Sequence, residues 1–131
     1  MTDHSGQCLC GAVRFSTPGP LRDVSVCHCK MCRRWHGHVG AYTSVPKATL
    51  AFAESRGLAW FHASDLARRG YCRECGSSLF WERFDRDTIS VTAGSLDDPT
   101  GVSTTLQIYP EDKGDYYALD ERMPSRAKTC D

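Results

Sequence analysis

Cys8-Leu9-Cys10-Gly11 near the start of the chain and Cys72-Arg73-Glu74-Cys75-Gly76 in its second half are short turns that each present two thiols and end on glycine. A Cys-x-x-Cys turn followed by Gly folds the chain back so that both sulfurs reach one ion at about 2.3 Å, with backbone N–H groups aimed at the thiolates. Cys72 and Cys75 fit that geometry, but they supply only half of a tetrahedron. Cys8 and Cys10 are the obvious second pair. Between these turns lies Cys27-His28-Cys29-Lys30-Met31-Cys32, which gathers three thiols in one segment. Three thiolates can wrap a single ion unaided and leave one position vacant, which is the mark of a catalytic zinc. Two zinc sites are therefore expected: a closed structural one on Cys8, Cys10, Cys72 and Cys75, and an open catalytic one on Cys27, Cys29 and Cys32. Cys130 stands apart near the end and reads as a tail thiol.

Other arrangements are compatible with the same residues. His28, His36 or His38 could close the second tetrahedron and make that zinc purely structural. Eight cysteines could pair as four disulfides, and Cys72 with Cys75 could be a redox dithiol. Residues Met1 to Gly11 show no apolar leader and no run approaches the roughly 18 apolar residues of a membrane span. A cytoplasmic, reducing setting is expected, where clustered cysteines are more often metal ligands than disulfides. The redox alternative lacks the βαβ pattern that would support it.

The rest of the 131 residues points to one β domain spanning 1–131. Apolar residues alternate with a period near two through Ala12–Ser16, Thr49–Phe52, Thr88–Thr92 and Thr104–Tyr109. Turn residues separate them at Pro18-Gly19-Pro20, Asp85–Asp87, Asp97–Gly101 and Glu111–Asp115. The pattern predicts a mostly β fold of short antiparallel strands with one helix candidate, Lys30 to Trp35. Val13, Phe15, Val24, Val26, Phe52, Trp60, Leu79, Phe80, Trp81, Ile89, Val91, Leu106 and Ile108 are the expected core. So modest a core gains from metal cross-links, which offset the entropy of ordering many loops.

Sixteen basic against sixteen acidic residues leave no net field to gather nucleic acid or an anionic membrane, so neither is an expected partner. A zinc ion with three thiolates instead suits a small thiol, whose thiolate form it would favour for attack on an electrophile such as an aldehyde. Carbon–sulfur bond formation or cleavage follows as the reaction class. Lys30, Arg33, Arg34, Arg68 and Arg69 could hold substrate carboxylates, although surface solvation and balancing of anionic zinc centres are the plainer roles for each. Trp35 and Tyr71 read as packing.

The runs Gly6–Val13, Cys27–Gly37 and Arg69–Leu79 together resemble the glutathione-dependent formaldehyde-activating enzyme (GFA) family over about Gly6 to Pro124. The resemblance implies a β-tent fold, shared with methionine sulfoxide reductase B and Rab-associated zinc chaperones. It implies the same four-plus-three partition of zinc ligands, with the three-cysteine zinc catalytic. The implied activity is that of a carbon–sulfur lyase similar to S-(hydroxymethyl)glutathione synthase, with glutathione as the thiol and formaldehyde as the electrophile. Gln107 and Tyr116 stand where the family pattern carries His and Trp. The alternative function is a non-catalytic, zinc-stabilised binding or chaperone module on the same fold.

Overall fold

A computed structural model describes residues 3–127, so Cys130 lies outside the described residues. In chain order the strands are β1 (His4–Gln7), β2 (Arg14–Thr17), β3 (Val24–Cys27), β4 (Gly40–Pro46), β5 (Ala51–Glu54), β6 (Leu58–His62), β7 (Ala67–Cys72), β8 (Ser78–Arg83), β9 (Thr88–Thr92), β10 (Thr104–Ile108) and β11 (Ser125–Arg126). One α-helix, α1 (Lys30–His36), follows β3. Strands β1, β2 and β5 form a small antiparallel sheet, and the other eight form a large sheet in the order β11-β10-β3-β4-β9-β8-β7-β6.

The mostly β expectation holds, and antiparallel pairing dominates. The exception is β10, which runs parallel to β3, with Cys27 opposite Ile108, and parallel to β11. Period-two patterning assigns residues to faces and is silent about strand direction, so it could not anticipate this.

The main core fills the space between the sheets. Phe15 of β2 meets Phe80 of β8 edge-on with ring centroids 5.2 Å apart, and Val13, Val45, Leu79, Ile89, Val91 and Leu96 pack around them. Gly70 of β7 leaves room for the Phe80 and Trp60 rings of the two flanking strands to lie over it, because a Cβ there would lie 2.9 Å from both. Of the expected core, Val13, Phe15, Val24, Leu79, Phe80, Ile89, Val91 and Ile108 are buried. Val26, Trp60, Trp81 and Leu106 are half-buried. Phe52, on the edge strand β5, is exposed and gives Phe80 only a ring edge. A second, smaller cluster joins Cys27, Cys32 and Ile108, with Cys29, Leu106 and Tyr109 against it.

Helix α1 has seven residues, too few to hold in isolation. Its ends are nonetheless well made. Cys29 is the N-cap, its sulfur accepting the Cys32 N–H at 3.3 Å, and Gly37 at φ 78° closes the C-terminus by donating to the Arg33 carbonyl. Among the described residues no helix is long and apolar enough to cross a membrane.

Candidate metal centres

The first group is made by two turns that face each other. Cys8 follows β1, and its amide donates to the Val13 carbonyl while the Val13 N–H returns to the Cys8 sulfur at 3.3 Å. Cys72 ends β7, and the Gly76 N–H donates back to its carbonyl at 2.7 Å. Gly11 and Gly76 both adopt φ +82°, the left-handed conformation that lets each turn reverse. The sulfurs of Cys8 and Cys10 lie 3.7 Å apart and those of Cys10 and Cys72 3.8 Å apart, and with Cys75 all four sit within 4.8 Å of one another. Four sulfurs about 2.3 Å from a tetrahedral ion are separated by about 3.8 Å, whereas a disulfide brings two sulfurs to about 2.05 Å. The donor set fits zinc.

Two residues beyond the ligands finish this group. Ser77 Oγ accepts the Leu9 N–H at 3.0 Å and lies 3.2 Å from the Cys75 sulfur, so its hydroxyl proton is directed at the thiolate. Burial pushes the Cys75 thiol up, but the Ser77 hydroxyl and N–H and the Cys10 N–H outweigh it and hold the thiol down to about 5. Cys10 moves the other way. The Ala12 backbone lowers it, yet burial and the neighbouring thiols push it up to about 12. Gly57 clamps both turns, donating to the Ala12 carbonyl and accepting from the Arg73 N–H. A Cβ on Gly57 would stand 2.8 Å from the Cys72 sulfur.

The second group comes from the β3–α1 junction. Cys27 ends the strand, Cys29 caps the helix and Cys32 sits in its first turn, so one chain reversal brings the three sulfurs within 4.8 Å. Cys27 and Cys32 are 1% and 2% exposed, while Cys29 is half-buried. Hydrogen bonds from the Cys27 and Cys32 thiols hold Cys29 down to about 2, while hydrogen bonds with Cys27 and Cys29, and then burial, push Cys32 well above its ordinary value. Three thiols this close, two of them buried, cannot all ionise without a cation between them, which is the chemistry of a thiolate metal site.

The histidines are engaged elsewhere. His28 Nδ1 pairs with the Tyr117 hydroxyl at 2.7 Å, His36 Nε2 with Tyr42 at 2.5 Å and His38 Nδ1 with Tyr116 at 2.8 Å. Among the described residues none of them joins the three-cysteine group. Cys29 instead faces a pocket of about 330 Å³ whose walls include Lys30, Met31, Leu66, Trp81, Arg83 and Tyr109. Tyr109 holds the left-handed conformation at φ 53°, unusual for a residue with a side chain and of a kind that concentrates at functional sites.

The five cations singled out in the sequence separate. Lys30 reaches the Cys29 pocket, whereas Arg33 and Arg34 line a different one beside Gly37 and Tyr116. Arg68 pairs with Glu82 at 2.6 Å and lies over the Trp60 ring. Arg69 is buried, and its Nη2 donates to the Cys32 sulfur at 3.7 Å. Trp35 packs, as expected, stacking on Phe61 and meeting the Tyr71 edge, with its indole N–H given to Ser78. Gln107 is buried and donates to the Asp120 and Met123 carbonyls; Tyr116 is exposed beside Tyr117. Sequence reasoning missed Gly57, Ser77 and Arg83. Only Ser77, two places after Cys75, carried a signal there.

Two groups of thiols able to hold metal ions, placed on a scaffold of two β-sheets, define a cysteine-rich β protein with two candidate metal centres. The chain belongs to the glutathione-dependent formaldehyde-activating enzyme family, whose pattern matches residues 3–112. It is 24% identical over 139 residues to an uncharacterized lyase of Schizosaccharomyces pombe, a match covering 98% of this chain and all of that one. Its fold resembles the crystal structure of a Rhodobacter sphaeroides protein, with a TM-score of 0.60 and 22% identity over 77% of this chain and 99% of the other.

Proposed function

We propose that residues 1–131 form one zinc-binding domain and a cytoplasmic, zinc-dependent carbon–sulfur lyase or synthase acting on a thiol adduct, similar to S-(hydroxymethyl)glutathione synthase. In this reading Cys8, Cys10, Cys72 and Cys75 hold a structural zinc, and Cys27, Cys29 and Cys32 hold the catalytic one. The observation that carries it is Cys29: it opens on a pocket, and none of the nearby histidines completes its group. Family membership and the lyase name of the yeast relative support the reaction class.

Zinc bound there would supply Lewis acidity at a fourth position, favouring the thiolate form of a visiting thiol. The chain's own residues do the rest. Lys30, exposed at the pocket, and Arg83, already shared with Asp85, can receive a substrate carboxylate. Met31, Leu66 and Trp81 give the pocket an apolar wall beside the reacting sulfur. A larger cleft of about 690 Å³ lies beside Cys8 and Ser77, but its lining carries Asp97 and no Lys or Arg, which disfavours an anionic thiol such as glutathione. In the synthetic direction sulfur adds to the aldehyde carbon, the carbonyl π pair becomes the hydroxyl, and the thiol proton ends on that oxygen. The lyase direction returns all three.

Zinc per chain, measured on reduced protein, and the response of a cobalt-substituted sample to glutathione test this reading. Two ions, of which one responds to the thiol, are expected. Two ions that both ignore every thiol would overturn it in favour of the zinc-stapled binding module.

A further inference from the structure

We infer that Arg69 is the fixed counter-charge of the three-cysteine centre: a positioning residue that stabilises its ionised, metal-holding form and the extra negative charge brought by an incoming thiolate. The inference rests on the zinc assignment proposed above.

Arg69 lies in β7 and is 4% exposed. Guanidinium stays charged at any pH a protein meets, so a buried one needs an anion. Arg69 has no carboxylate partner among the described residues. The ion pairs of Glu54, Glu74, Glu82, Asp85 and Asp120 all go to other cations. What faces Arg69 is the cluster: Nη2 donates to the Cys32 sulfur, Nη1 donates to the Tyr42 hydroxyl at 3.3 Å, and the Trp35 ring lies 5.9 Å away.

The charges are complementary. Three thiolates and one divalent ion sum to −1, and Arg69 sets a buried positive charge directly against Cys32, with Arg22 lining the same space beside Cys27 and Cys32. A thiolate arriving as fourth ligand adds negative charge against the same guanidinium, which reduces the penalty for admitting it. The N–H donated to Cys32 also withdraws electron density from that sulfur, so the metal is left a stronger acid toward its fourth ligand. The four-cysteine group has no buried cation of this kind among the described residues; its exposed Cys10 meets solvent and the surface charge of Arg56.

Arg69 is held in place from behind. The Tyr42 hydroxyl accepts from Arg69 and passes its own proton to His36 Nε2. His36 can accept because burial, and then the charge of Arg69, press its pKa down to about 4 and keep the ring neutral. Gly40 makes room for this contact, since a Cβ there would lie 2.8 Å from the Tyr42 ring and 3.0 Å from the His36 imidazole.

The test uses the full chain with both metals loaded, comparing Arg69→Met, Arg69→Lys and Tyr42→Phe. Zinc is titrated away with a chelator, and cobalt–thiolate charge-transfer bands are recorded with and without glutathione. Arg69→Met is expected to weaken the three-cysteine metal about 10–100-fold, move the cobalt bands to lower energy and raise the thiol needed for a response. The four-cysteine metal should not change. Arg69→Lys should recover part of the loss, and Tyr42→Phe should show a smaller loss in the same direction. Wild-type affinity and spectrum in Arg69→Met would overturn this inference alone. Loss of both metals in Arg69→Met and Arg69→Lys alike would assign Arg69 to fold support and overturn it as well. A wild-type chain holding zinc only on Cys8, Cys10, Cys72 and Cys75 would remove the proposed function together with this inference.

Discussion

The two cysteine groups use the same ligand atom and differ in what surrounds it. Cys8, Cys72 and Cys75 pack into the main core between the sheets, alongside Phe15 and Phe80. Cys27, Cys29 and Cys32 belong to a small cluster with Ile108 and Tyr109 under one helix and one parallel strand pair. The first group draws its ligands from two turns about sixty residues apart, so a metal there would tie the small sheet to the large one. The second draws all three from one reversal, so a metal there would constrain little beyond α1. One is completed by Gly57 and Ser77; the other faces a pocket and a buried cation. Ligand chemistry alone therefore does not separate a staple from a reactive centre. The separation comes from which parts of the chain the ligands join and what lies on the fourth side.

That contrast can be broken most forcefully at Cys72, which is fully buried. Cys72→Ser should lose the four-cysteine zinc and destabilise the protein by on the order of 5 kcal/mol, a large share of a domain's total stability. Thermal unfolding and zinc counting on the purified variant would show this, and an unchanged melting temperature would dissolve the distinction between the groups.

Cys29→Ser should act in the opposite manner. Serine is itself a good N-cap, so α1 should persist with a wild-type circular dichroism spectrum while turnover of a thiol adduct disappears. Collapse of the fold, or full activity, would contradict the roles assigned here.

Gly57→Ala sharpens the comparison at smaller cost. The added methyl must push against the Cys72 sulfur and Ala12, and a penalty of about 1–3 kcal/mol in denaturant unfolding is expected, with zinc affinity at Cys27, Cys29 and Cys32 untouched. His38→Gln should do least. Its contact with Tyr116 is exposed, so a stability change of about 0.5 kcal/mol or less and full retention of both zincs are expected. Loss of a metal in that variant would restore histidine as a ligand.

Much of this was legible beforehand because it is local. The spacing of Cys27, Cys29 and Cys32, and glycine after Cys10 and Cys75, dictate turns that bring sulfurs together whatever the rest of the chain does. Period-two runs marked strands such as Thr88–Thr92, which match β9 end for end. Strand β4 went unread: its buried positions include Tyr42 and Thr43, polar-tipped residues that break the expected alternation. The parallel course of β10 went unread because alternation assigns faces and carries no strand direction.

The sequence by itself determined that seven cysteines fall in three short turns, that the fold is mostly β, and where helix α1 begins. Tertiary structure alone decided that Arg69 points inward at Cys32 while its neighbour Arg68 pairs with Glu82 across the strand. It also decided that the histidines pair with tyrosines, and that Gly57 must be bare. The physical reason is common to these cases. Burial of a charge, the direction of a strand and the clearance beside an atom depend on segments that meet only in the folded chain, and no spacing within one segment encodes them.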